Sequence, residues 1–112
     1  MNPDSRMPQP KRTAPPKVKP VTVGGVRIEA LHWGRSRGLG QNGGYIVAVD
    51  PASGRELWTL KVYDIAYDPK MEEDVQDLFI AKLAVAGDKL SVRDEGGRRF
   101  LVDLKRKTVA AQ

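Results

Sequence analysis

From Val21 onward, apolar residues recur at every second position through most of the chain, and that spacing predicts strands rather than helices. Val26, Ile28 and Ala30 alternate with Arg27 and Glu29, a run that continues to about Trp33, with Gly24 and Gly25 marking a bend or bulge at its start. Tyr45, Val47 and Val49 share one face of a second strand. It ends in Asp50-Pro51-Ala52-Ser53-Gly54, where the Asp50 carboxylate can cap the turn, Pro51 fixes φ, and Gly54 supplies the positive φ that sends the chain back. A hairpin follows. Its returning strand puts Trp58, Leu60 and Val62 on one side and Leu57, Thr59, Lys61, Tyr63 and Ile65 on the other; Trp58, the bulkiest of these, is the expected core anchor. Phe79, Ala81, Leu83 and Val85 recur at the same period. A turn at Ala86-Gly87-Asp88-Lys89 leads to Leu90 and Val92, and Asp94-Glu95-Gly96-Gly97 reverses the chain into Phe100, Val102 and Leu104.

One stretch departs from this rhythm. After Asp68-Pro69, the acids Glu72, Glu73 and Asp74 stand where a helix N-terminus favours negative charge, which predicts a short acidic helix from Met71 to about Asp77. The predicted fold is therefore mainly β: an antiparallel meander of about six strands, curled into a small barrel or roll, with that one helix. The domain spans residues 21–105. Residues 1–20, MNPDSRMPQPKRTAPPKVKP, hold almost nothing apolar and read as a disordered, basic, Pro-rich arm, while residues 106–112 fray or add a short edge.

Composition narrows the chemistry. At 112 residues there is room for one modest core, and the absence of cysteine removes disulfides, zinc-thiolate sites and thiol nucleophiles together. No apolar run resembles a signal sequence or reaches the roughly 18 residues of a membrane span, so a soluble, cytoplasmic protein without membrane contact is expected. The net charge of +5 sits mostly in the arm, where Arg6, Lys11, Arg12, Lys17 and Lys19 stand against Asp4 alone. Such an arm can add weak, salt-sensitive attraction to nucleic acid, yet it carries no aromatic residue on which a base could stack.

Among motifs, Gly38-Leu39-Gly40-Gln41-Asn42-Gly43 has the spacing GxGxxG, but a dinucleotide site needs a helix after that loop, and here a strand follows. The loop still offers the best candidate ligand site: Trp33, Arg35, Arg37, Gln41 and Asn42 lie in a glycine-rich connection where guanidinium groups and free amides could hold a phosphate or carboxylate. Its simpler reading is a mobile connection kept in water by its arginines. His32 is the only histidine, so no Ser-His-Asp or Cys-His arrangement forms without it, and the acids Asp64 to Asp77 lack the order of a preformed calcium loop. No catalytic residue, metal or cofactor is assigned.

Two turns share one grammar, Val49-Asp50 to Gly54-Arg55 and Arg93-Asp94 to Gly97-Arg98, which suggests a weak internal repeat. The first of them, within residues 45–63 and reading Ile46-Val47-Ala48-Val49-Asp50-Pro51-Ala52-Ser53-Gly54-Arg55-Glu56-Leu57-Trp58, resembles a repeat of the pyrroloquinoline-quinone-type β-propellers. That resemblance implies a hairpin in which Gly54 and Trp58 are structural; it carries over no quinone or metal ligand, and so few strands cannot close a propeller. The expected function is a non-enzymatic binding or protein-interaction module, its partner an unknown protein or a second copy meeting it through strand edges. The alternative is nucleic-acid binding through the arm, Arg35, Arg37 and Lys105-Arg106-Lys107; an enzyme using His32 with Arg35 and Arg37 comes third.

Overall fold

The computed structural model describes residues 14–71 and 76–112. Within them the chain is mainly β and almost free of helix, with eight strands rather than about six. Four make one antiparallel meander in the order β1 (Val21–Val23), β2 (Val26–Leu31), β3 (Tyr45–Val49), β4 (Glu56–Lys61); the other four make a second, β5 (Ile80–Ala86), β6 (Lys89–Asp94), β7 (Arg99–Asp103), β8 (Thr108–Ala111). The strands fall into two four-stranded sheets, and of the expected barrel or roll no closed barrel forms.

The extra strands have physical causes. Gly24 and Gly25 both take positive φ, 59° and 83°, which makes them the centre of a two-residue hairpin, so what reads as one bent strand is β1 and β2 paired Val23 to Val26. At the other end of the sequence, Thr108–Ala111 takes the second of its two expected courses and pairs with β7 as an edge strand. The acidic helix expected near Met71 to Asp77 falls mainly on residues outside those described, as does the greater part of the basic arm. The described end of that arm, residues 14–20, lies on the domain: the Pro16 carbonyl is 2.8 Å from His32 Nε2, and Val18 packs against the core.

The core forms between the sheets from Ile28, Ile46 and Ala48 on one side and Ile80, Leu83, Leu90, Val92, Phe100 and Val102 on the other, closed by Val62 and Tyr63 from the connection after β4. Cross-strand partners on one face bury together, as Ile28 opposite Ala48 and Ala30 opposite Ile46 show. The period-two run of β5 is broken by a register shift between Ile80 and Lys82, so Ile80 and Leu83 both face the core; Phe79 is fully buried as well, while Val85, near the end of the strand, is half exposed. Trp58 is not the central anchor. It sits half-buried against the rim of the core, and the largest fully enclosed side chain is Phe79.

Candidate functional site

The two ends of the molecule differ in kind. At one end the connection from β2 to β3, a 3-10 turn Gly34–Arg37 followed by the glycines to Gly44, folds back on itself and is bound to the chain around it. Phe79 is its keystone: the rings of His32 and Trp33 meet it edge-on at 5.1 and 5.7 Å, and its backbone N–H and carbonyl engage the Glu95 carboxylate and the Glu95 N–H, each at 3.0 Å.

Each residue singled out in this loop has a defined place. Gln41 is buried and its amide is fully used, donating to the carbonyls of Gly43 (2.9 Å) and Tyr63 (2.8 Å) and accepting from the Ile65 N–H (2.9 Å). Asn42 accepts from the Arg35 N–H at 3.2 Å and donates to the buried Asp77 carboxylate at 3.1 Å, whose other oxygen accepts from the Tyr67 hydroxyl. Burial first, and then that bond to Asp77, push the Tyr67 hydroxyl up to about 12. The Arg35 guanidinium lies 5.0 Å from the centre of the Tyr67 ring. Arg37 makes a fork of two bonds, 2.6 and 2.7 Å, with the Glu56 carboxylate on β4, which raises the arginine and lowers the glutamate from their ordinary values. Trp33 keeps about half of its surface in solvent, at 53% exposure.

The loop is thus a strut, with Gln41 and Asn42 holding backbone and Asp77, and Arg37 holding Glu56. His32 is half-buried, with Nε2 on the Pro16 carbonyl. Among the described residues no group of three metal-ligating side chains gathers, and no helix is long and apolar enough to cross a membrane.

The opposite end is open. There the hairpin turns of both sheets converge on a groove of about 540 Å³, floored by Val23, Val26, Trp58, Val85 and Leu104 and edged by Asp88 and Lys105. Lys107 sets its ammonium 5.0 Å from the centre of the Trp58 ring, joining the last turn of the second sheet to β4 of the first.

Each sheet also has two free edges along its length, and three of these four are guarded. β1 is three residues long, follows Pro20 and runs beside β5; β4 has Glu56 and Lys61 at its ends and a register shift against it; β5 has Lys82 and a shift of its own. β8 is also short, at four residues, but it lacks the other devices: Thr108, Val109, Ala110 and Ala111 carry no charge and pair with β7 without a break. The Gln112 N–H bonds the Arg99 carbonyl at 2.8 Å, so by the alternation of an antiparallel ladder the N–H and C=O of Ala111 and Val109 point away from β7, outward from the sheet. The sequence left these residues between a frayed tail and a short edge, although Asp103 and Thr108 stand in the relation of Asp50 and Arg55, which favours the edge.

Comparison of this chain with family models, with curated proteins and with solved structures gives no match.

Proposed function

We propose that the protein is a non-enzymatic interaction module that takes an extended segment of a partner protein as an added strand on β8. The observation that supports this reading is the contrast among the edges: β8 pairs with β7 without a register shift, carries no charge along Thr108–Ala111, and turns the N–H and C=O of Val109 and Ala111 outward, whereas β4 and β5 carry charge and a register shift and β1 is a three-residue strand that follows Pro20 and runs beside β5. The chemistry of the partner follows from the surroundings. Small apolar side chains suit the run Thr108–Ala111, and an acidic residue suits the end that lies against Lys105, Arg106 and Lys107. Val109 packs toward the core, so an inward side chain of the added strand would lie beside it. In this reading the likeness of residues 45–63 to a propeller repeat is one of hairpin grammar and brings no cofactor.

Ala111→Pro tests the reading, because proline removes a donor that faces away from β7 and leaves the pairing within the sheet intact. A synthetic peptide with one or two acids followed by alternating Val and Ala should bind the parent chain, and the variant should bind it about tenfold or more weakly at unchanged melting temperature. Equal binding by both proteins would refute strand addition at β8. Sedimentation at rising protein concentration identifies the self-paired case: a dimer present in the parent chain and lost in the variant makes a second copy the occupant.

A further inference from the structure

The outward face of the second sheet carries a feature that strand addition does not use. The register sets Lys82 on β5 opposite Arg93 on β6, and Arg93 opposite Arg99 on β7, so three cations stand in one row across three adjacent strands. All three are exposed, and among the described residues no carboxylate forms an ion pair with any of them. The acid that shares this face, Asp103, is turned to its own hairpin, where it accepts from the N–H groups of Lys105 (3.0 Å) and Arg106 (3.1 Å). Like charges directly opposite one another on a sheet repel, so the row works against folding. Ala84 and Ser91 complete it: their small side chains leave a hollow of about 170 Å³ between the three cationic ones.

We propose that this row is a seat for the phosphodiester backbone of nucleic acid. Strand spacing makes the row about 10 Å long. That is wider than one phosphate, so a chain of phosphates fills it better than a single ion. An acidic protein surface is the competing occupant, but the hollow between the cations and the charge-bearing forks of two arginines suit tetrahedral phosphate oxygens. No aromatic side chain stands on this row or around its hollow, so the bases are not stacked and the binding reads backbone rather than sequence. The inference is independent of strand addition at β8, since the row lies across β5, β6 and β7.

The test uses the full chain and a fluorescein-labelled oligo(dT), with anisotropy read between about 50 and about 200 mM salt. The parent chain should bind at micromolar concentration with affinity falling as salt rises. The variant Lys82→Gln, Arg93→Gln, Arg99→Gln should bind about tenfold more weakly at the lower salt, with its log-log salt slope flattened by about 2, the value for three lost single-strand phosphate contacts. Its melting temperature should be unchanged or higher, since the repulsion within the row is gone. Arg106→Gln, outside the row, should cost much less. Three results would overturn the proposal: no binding at micromolar protein in the lower salt, an unaltered slope in the triple variant, or a poly-glutamate peptide of equal length bound as tightly as the oligonucleotide.

Discussion

The meanders β1–β4 and β5–β8 open and close with similar turns and differ most in the one between. Each begins with a tight hairpin that needs left-handed glycine, Gly24-Gly25 in the first and Gly87-Asp88 in the second. Each ends with a turn opened by an aspartate that binds amides ahead of it and closed four positions later by a residue in the left-handed region: Asp50 with Gly54 (φ 77°), and Asp103 with Lys107 (φ 56°). The middle connections diverge. In the first sheet the chain wanders from His32 to Gly44; in the second it reverses within Glu95 to Arg98. Both nonetheless end on Phe79, the long loop through His32, Trp33 and Gly43 and the short one through Glu95. Repeated turns have left one end open as a groove, whereas the unlike middle connections have been packed together to seal the other.

The sharpest way to break this comparison is at two glycines with the same backbone angle. Gly44 and Gly97 both have φ 89°, and each leads into the strand after its middle connection. A Cβ on Gly44 would stand 2.8 Å from Gln41 Nε2 and 2.9 Å from the Tyr63 carbonyl, while one on Gly97 meets nothing within 4 Å. Alanine at Gly97 therefore carries only the left-handed backbone cost of about 1–2 kcal/mol. Gly44→Ala adds the displacement of Gln41 from its bonds and should exceed about 3 kcal/mol. Urea unfolding with the slope held constant measures both. Equal losses would mean that the long loop is merely draped over this end.

A smaller difference is expected between two turn aspartates that read alike in sequence. Asp94 is 1% exposed and its carboxylate accepts from the Arg98 N–H (2.9 Å) and Arg98 Nε (2.6 Å). Asp50 is half-buried and accepts from the Ala52 N–H at 2.9 Å. Asp94→Ala removes the acceptor of the Arg98 N–H and of a charge-assisted bond and should cost about 2–3 kcal/mol, although Arg98 is half exposed and keeps its charge in water. Asp50→Ala should cost about 1 kcal/mol or less. The same denaturation series decides it. Losses within a few tenths of each other would remove the distinction between a sealed and an open end.

How far the sequence could carry this picture depends on which information is local. The mainly β character of the chain and the Asp50-Pro51-Ala52-Ser53-Gly54 turn are written in alternation and turn residues, and both are found. Counting strands failed at Gly24-Gly25, because two glycines between valines suit a bulge and a two-residue hairpin equally until a partner strand is seen. The loop from Trp33 to Asn42 was legible as a long connection between strands. Its interior was not, since nothing near Gln41 in sequence announces that its amide will meet the carbonyl of Tyr63. Trp58 misled for a related reason: size argues for burial, but β4 is an edge, and an edge offers a large ring only one side of core. The cationic row was out of reach because Lys82, Arg93 and Arg99 become neighbours only through register.

The finest contrast lies in the two closing turns. Gly54 meets nothing within 4 Å where a Cβ would go, so Gly54→Ala isolates the backbone cost and should lose about 1 kcal/mol, a few degrees in melting temperature. Lys107 already bears that cost as the one non-glycine residue of positive φ among those described. Relief of the backbone in Lys107→Gly is worth up to about 1 kcal/mol, but the freer unfolded chain and the lost contact of its ammonium with Trp58 take back a similar amount. The net change should stay within about 0.5 kcal/mol. A gain near 1 kcal/mol on Lys107→Gly would show that the ammonium contributes nothing to holding Trp58, and that the last turn of the second sheet is tied to β4 only through the core.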